Sequence, residues 1–255
     1  MTAMADKIAA IVAMKAAGRK IAALTGYDYP MARLLEESGV DLILVGDSLG
    51  MVVLGFPDTT HVTMEHIVHH CAAVCRGARV TLVVADLPFG SCDTPEDAVA
   101  NSRRLIAAGA GAVKLEGARM EEIRAIVADG IPFMGHLGML PQRIREEGRY
   151  NKKGKTESEA YALLEQARAI EAAGAFAIVL ELVEAEVASH ISRELRIPTI
   201  GIGSGEGCDG QILVTHDLIG MFPWFRPKFA IPEADVAGEI RGAIRAYREK
   251  VQGVG

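Results

Sequence analysis

The chain has 255 residues, half of them hydrophobic, 24% charged and only 5% aromatic, with 27 glycines. That apolar share excludes an intrinsically disordered chain, and a domain of this length buries roughly 70–75% of its unfolded surface, so it needs neither disulfides nor a structural metal as a staple. The net charge of −6 lacks the clustered basic excess of a nucleic-acid binder, and no apolar run approaches the roughly 18 residues of a membrane span.

Residues 1–20 are rich in Ala, but Asp6 and Lys7 come early, and Ile8, Ile11, Val12 and Lys15 fall at helical spacing. This pattern predicts an N-terminal helix in place of a secretory signal. Cys71, Cys75, Cys92 and Cys208 are too sparse for a disulfide framework and form no C-x-x-C motif, so the expected compartment is the cytoplasm. Short apolar runs then predict strands at Ile21–Thr25, Asp41–Gly46, Val80–Ala85, Ala112–Glu116, Ile131–Gly135, Phe176–Glu181, Pro198–Gly201 and Gln211–Val214. Helical stretches such as Pro95–Ala108 and Glu157–Ala173 lie between them, and Gly39, Gly77, Gly109, Gly130 and Gly174 stand where C-caps belong. Eight strand–helix units of about 32 residues each predict one (β/α)8 TIM barrel over residues 1–255, preceded by the N-terminal helix. A dinucleotide-binding fold is disfavoured, because Gly201-Ile-Gly-Ser-Gly-Glu-Gly207 fails the G-x-G-x-x-G fingerprint in both registers. The long polar stretch 143–158 is expected as a loop between the fifth strand and its helix.

In such a barrel the active site lies at the carboxyl ends of the strands. Five successive runs end in ionisable groups: Asp47, Asp86, Glu116, His136 and Glu181. Side chains alternate along a strand, so Lys114 and Glu116 share one face, expected inside the barrel, where a charge is costly unless paired or bound to a ligand. Asp47, Asp86 and Glu116 form an all-oxygen set suited to a hard divalent cation such as Mg2+. Lys114 could hold an anionic substrate group, and Glu181 could act as a general base. Any one of these carboxylates taken alone is more often a solvated or ion-paired loop residue; it is the set that points to a site. A zinc cluster is not expected from His66, His70, Cys71 and Cys75. At 100° per residue the cysteines fall about 140° and 180° from His66, on the apolar face of Ile67 and Val74. His190 and His216 are expected as surface or packing residues.

The strand-end phrases resemble the ketopantoate hydroxymethyltransferase family. The resemblance is carried by Thr25-Gly-Tyr-Asp-Tyr-Pro30, Val45-Gly-Asp-Ser-Leu-Gly-Met-Val-Val-Leu-Gly55, Val84-Ala-Asp-Leu-Pro-Phe89, Ala112-Val-Lys-Leu-Glu-Gly117 and Gly135-His-Leu-Gly138. It continues through Val179-Leu-Glu181, Cys208-Asp-Gly-Gln211 and Arg226-Pro-Lys-Phe229, in order along nearly the whole chain.

The resemblance implies transfer of a one-carbon unit from 5,10-methylenetetrahydrofolate to 3-methyl-2-oxobutanoate, giving 2-dehydropantoate for pantothenate and coenzyme A synthesis through a Mg2+-stabilised enolate. It implies Asp47, Asp86 and Glu116 as metal residues, Asp47, Ser48, Asp86 and Lys114 as keto-acid contacts, Glu181 as general base, His136 as an active-site histidine, and a homodecameric assembly. The chain departs from the family pattern at Phe89-Gly-Ser-Cys-Asp93, Glu147-Gly-Arg-Tyr-Asn-Lys-Lys-Gly154 and Leu182-Val-Glu184, all loops expected at the barrel mouth. A lyase or mutase of the phosphoenolpyruvate mutase and isocitrate lyase type would use a similar barrel and an enolate, but normally a catalytic Cys loop, for which this chain has no convincing equivalent.

Overall fold

Each of the eight apolar runs is a strand, and each pairs in parallel with its neighbour in sequence. In the computed structural model, which describes residues 2–253, they are β1 (Ile21–Thr25), β2 (Leu42–Val45), β3 (Leu82–Asp86), β4 (Ala112–Glu116), β5 (Phe133–Gly138), β6 (Ala177–Glu181), β7 (Thr199–Ile202) and β8 (Gly210–Leu213). They close a barrel in the order β1 to β8. By contact density the chain forms two units, residues 1–212 and 213–255.

The helices of the first unit are α1 (Thr2–Ala16), α2 (Tyr29–Glu37), α3 (Leu49–Val52), α4 (Met64–Gly77), α5 (Pro95–Ala107), α6 (Met120–Ala128), α7 (Ile144–Glu147), α8 (Glu157–Ala172) and α9 (Ala185–Glu194). Local chemistry sets several of their starts. Asp28, Thr63, Thr94 and Thr156 each accept a backbone N–H from the first turn of α2, α4, α5 and α8. Gly39, Gly109, Gly130 and Gly174 take left-handed φ just after helices, as expected of caps, but Gly77 does not. Gly77 is the last residue of α4, and a Cβ there would lie 2.6 Å from Tyr29 O and 2.9 Å from Ala32 Cβ. It is small so that α2 and α4 can touch.

The strand residues divide into two apolar clusters by parity. Ile21, Ala23, Leu42, Leu44, Leu82, Val84, Ala112, Met134, Ala177, Val179, Ile200 and Ile212 fill the barrel interior. Ile43, Val45, Val83, Ala85, Val113, Leu115, Leu137, Ile178 and Leu180 pack outward with the helices. Continuous apolar strands are needed because both faces are covered. Ile11 and Met14 of α1 join the interior cluster. Lys7 donates to Arg79 O (2.7 Å) and Lys15 to Ile197 O (3.0 Å), both just before strands begin, so α1 seals the amino ends of the strands.

The second unit contains α10 (Thr215–Leu218) and α11 (Val236–Gln252), whose N-terminus is capped by Asp235. Glu233 N–H donates to Leu218 O at 2.7 Å, and Ile240, Ile244, Tyr247 and Val251 of α11 are exposed. Among the described residues no helix is long and apolar enough to cross a membrane.

Two boundaries differ from the sequence reading in ways that matter. β3 includes Asp86, and β5 runs to Gly138, so His136 sits within a strand and not after its end. The polar stretch 143–158 is also less irregular than expected. It carries α7, and Lys153 bridges to Val183 beyond β6.

Candidate active site

In β3–β6 the residues of inward parity stop being apolar at the upper end of the barrel. Val84 is followed two residues on by Asp86, Ala112 by Lys114 and then Glu116, Met134 by His136, and Val179 by Glu181. Strand alternation thus delivers an acid, a base and a cation to one end of the same interior that Leu and Val fill below. Register brings them side by side: Asp86 pairs with Lys114, Glu116 with His136, and Gly138 with Glu181. Asp47 comes one residue beyond Gly46, where a Cβ would lie 3.2 Å from Ser48 Oγ and 3.3 Å from Asp86 Oδ2. The glycine leaves room for these polar groups.

The contacts form one network. Lys114 Nζ lies 2.6 Å from Asp86 Oδ1, and both side chains are about 3% exposed. Asp47 N–H donates to Asp86 Oδ2 at 3.0 Å. Lys114 Nζ is 3.1 Å from His136 Nδ1. An ammonium can only donate, so Nδ1 is the acceptor and the ring proton falls on Nε2. That atom stands 3.3 Å from Glu181 Oε2, though not aligned for a good hydrogen bond. Glu116 Oε1 is 3.7 Å from His136 Nδ1. Ser48 Oγ shares a hydrogen bond with the Tyr27 hydroxyl at 2.7 Å.

Burial and unbalanced charge shift the ionisations. Asp47 is pushed up to about 7 by burial and by the charge of Asp86, against the opposing pull of Lys114 and a hydrogen bond from Gln142. Burial, then Asp47, raises Glu116 well above the carboxylate range. Glu181 rises to about 7 through burial, with Lys114 opposing. Burial disfavours the Lys114 ammonium, but Asp86, Glu116 and Asp47 outweigh it and hold the charge above the usual lysine range. Burial and Lys114 together keep His136 neutral, so its approaches to Glu116 and Glu181 are not ion pairs. Among the described residues no three His, Cys, Asp or Glu side chains are close enough to form a ready-made metal cage.

The turn that carries Glu181 is tightly specified. Leu182 has φ +47°, the one positive value among the described non-glycine residues. Ser204 Oγ donates to Leu180 O at 2.8 Å and accepts from Val183 N–H at 2.9 Å, and Met139 N–H donates to Glu181 O at 2.8 Å. A strained residue beside a functional side chain persists only where its surroundings over-determine it.

All seven residues singled out from the sequence (Asp47, Ser48, Asp86, Lys114, Glu116, His136 and Glu181) lie at the carboxyl-end side of β2–β6. Two more were missed. Tyr27 is buried within a quoted strand-end run, and its hydroxyl reaches Ser48. Gln142 touches both Asp47 and Glu116; its one sequence signal is the preceding Pro141, which marks a tight turn after β5. The histidines and cysteines of α4 go elsewhere. His66 closes the capping box with Thr63, His70 Nδ1 meets Tyr27 O at 2.6 Å, and Cys71 is buried against Cys75.

Residues 6–254 match the family described as Ketopantoate hydroxymethyltransferase. The chain belongs to the ketopantoate hydroxymethyltransferase family. It is 52% identical over 238 residues to 3-methyl-2-oxobutanoate hydroxymethyltransferase of Ignicoccus hospitalis, covering 92% of this chain and 90% of that one. It is 50% identical over 243 residues to the enzyme of the same name from Syntrophus aciditrophicus, covering 94% and 89%. Among solved structures the fold is similar to phosphonopyruvate hydrolase complexed with oxalate and Mg++ (TM-score 0.65, 14% identity, 97% and 88% covered). It is also similar to 2,3-dimethylmalate lyase, a PEP mutase/isocitrate lyase superfamily member (TM-score 0.60, 17% identity, 96% and 87% covered). At those identities the likeness concerns the barrel alone. As a ketopantoate hydroxymethyltransferase family member the chain is an enzyme, and the polar end of its barrel is the candidate active site.

Proposed function

We propose that the enzyme transfers a one-carbon unit from 5,10-methylenetetrahydrofolate to 3-methyl-2-oxobutanoate, giving 2-dehydropantoate for pantothenate and coenzyme A synthesis. The observation that carries this reading is the convergence of Asp47, Asp86, Lys114, Glu116, His136 and Glu181 at one end of the barrel, in a chain about half identical to enzymes named for the acceptor. Asp47, Asp86 and Glu116 are buried against a single ammonium, an excess of carboxyl groups whose raised ionisations a hard divalent cation would bring down. Mg2+ is normally held by one or two carboxylates, with water and substrate oxygens in its other positions, so no three-residue cage is required. When bound, Mg2+ supplies Lewis acidity toward the keto oxygen of the substrate.

The remaining chemistry falls to the chain itself. Lys114 and the Ser48 hydroxyl face the anionic end of the keto acid, and burial strengthens both interactions by excluding water. Water adds to the methylene carbon of the folate, whose C–N bonds break so that tetrahydrofolate leaves and the carbon is freed at the oxidation level of formaldehyde. Glu181 takes the proton from C3, C3 adds to that carbon, and its oxygen, once protonated, is the new hydroxyl. His136, neutral and carrying its proton on Nε2, is a substrate contact: that donor has no hydrogen-bond partner among the described residues and stands 3.3 Å from Glu181 Oε2, beside the reacting carbon. We read the 255 residues as one catalytic domain, since the family match crosses both units, and we place the enzyme in the cytoplasm as a homodecamer acting on small molecules, with neither nucleic acid nor membrane as partner.

The test is to incubate the enzyme with 3-methyl-2-oxobutanoate, methylenetetrahydrofolate and Mg2+ and to look for 2-dehydropantoate. Glu181→Gln is expected to abolish exchange of the C3 proton with solvent deuterium while keeping Mg2+ affinity, whereas Asp86→Ala weakens both metal and keto-acid binding. Turnover of a different keto acid with no 2-dehydropantoate formed would overturn the substrate assignment.

A further inference from the structure

Gln142 is uncharged and belongs to none of the strand-end phrases, yet it reaches three strand ends at once. Pro141 has no N–H, so the first free amide of the short 3-10 turn Pro141–Arg143 is that of Gln142, and it donates to Glu116 Oε2 at 3.1 Å. Its side-chain Nε2 donates to Asp47 Oδ2 at 2.9 Å and to Leu87 O at 3.1 Å. A primary amide has two N–H donors, and both are used.

A carboxylate turns easily about its last torsion, so its orientation comes from the partners of its oxygens. Asp86 has Lys114 and the Asp47 N–H. For Asp47 and Glu116 the hydrogen-bond donor is Gln142 in each case. The choice of an amide has a charge logic. A lysine here would cancel part of the negative excess that attracts a divalent cation, and a glutamate would add another buried carboxylate. A neutral side-chain donor orients Asp47 and adds no charge, while Glu116 is held by the backbone N–H.

We propose that Gln142 is a positioning residue of this active site: its side-chain amide sets the orientation of the Asp47 carboxylate and ties it to the loop after β5, whose backbone N–H at the same residue holds Glu116. The proposal rests on the reading of Asp47 and Glu116 as cation-binding acids. Gln142 makes no claim on the reacting atoms; it acts through the carboxylates.

Gln142→Met tests it. This variant keeps the backbone N–H and the approximate length but loses the side-chain donors. Mg2+ affinity is measured by calorimetry on the enzyme without keto acid or folate, beside the keto-acid KM, kcat and melting temperature. The expected result is Mg2+ binding weakened about 10- to 100-fold, the usual loss when a partner of a metal ligand is removed, with KM raised by more than kcat falls. Gln142→Lys should lose more, since it also subtracts negative charge. Wild-type Mg2+ affinity and KM in Gln142→Met would overturn the proposal even if the melting temperature drops, because the amide would then be only a loop fastener. If the wild-type enzyme binds no Mg2+, the metal reading fails by itself and the keto-acid KM decides: a tenfold rise supports the positioning role and no change overturns it. Should Gln142→Met not fold, Gln142→Asn, too short to span Asp47 and Leu87 together, is judged by the same two measurements.

Discussion

Glu181 and His136 illustrate how one buried environment can prepare two groups for different work. Burial raises Glu181 to about 7 and pushes His136 down, so near neutral pH a carboxyl poised to exchange a proton lies 3.3 Å from a neutral imidazole. A base must be deprotonated to act. Because the pKa of Glu181 is raised, the inactive protonated form persists up to about pH 7 and is lost above it. The expected kcat/KM profile therefore rises across pH 7, where Asp47 and Glu181 both ionise, and levels off on the alkaline side; a profile flat from pH 5 to 8 would remove Glu181 from the role of base. The identity of these residues was legible because strand alternation places Lys114 and Glu116 on one face whatever the rest of the fold does. Gln142 was not legible, since a loop residue has no periodicity to say which way it points.

Among the elements, the β5–β6 pair most directly links fold and site. Gly138 ends β5 at φ +99°, and a Cβ there would stand 2.1 Å from Glu181 O and 2.7 Å from Val183 Cγ2. The close approach lets the next residue, Met139, donate its N–H to that same carbonyl. Gly138→Ala should therefore cost more than about 1 kcal/mol from left-handed strain and the clash together. It should also lower kcat by displacing the base. Thermal unfolding and steady-state kinetics on the same preparation would check both. Strand existence was legible from apolar runs, but the ends were not. β5 carries three residues beyond Gly135 because its final hydrogen bonds go to β6, a partner some 40 residues away in sequence.

On the scale of the whole molecule, stability and chemistry occupy opposite ends of the barrel. α1 seals the amino ends with Ile11 and Met14, while the charged network lies at the carboxyl ends. Met14→Ala should open a cavity beneath the interior cluster and cost about 2–5 kcal/mol. Its kcat and KM should match those of the wild type, because no strand-end side chain is touched; a large loss of activity in still-folded protein would show that the two ends are coupled. The net charge of −6 has little bearing on the site. Three of the acids at the barrel mouth share a single ammonium, and that local excess is what a cation would answer.

The sequence by itself determined the βα repeat, the parity of the strand residues and the acids that end the strands, since each follows from local periodicity. Only the tertiary structure decided which of those acids meet. It made His136 a neutral residue within a strand, gave Gly77 a packing role in place of a cap, and brought Gln142 onto Asp47 across 95 positions of chain. The physical reason is the same in each case. Burial and pairing depend on neighbours that are distant in sequence, and it is those neighbours that set ionisation, orientation and close approach.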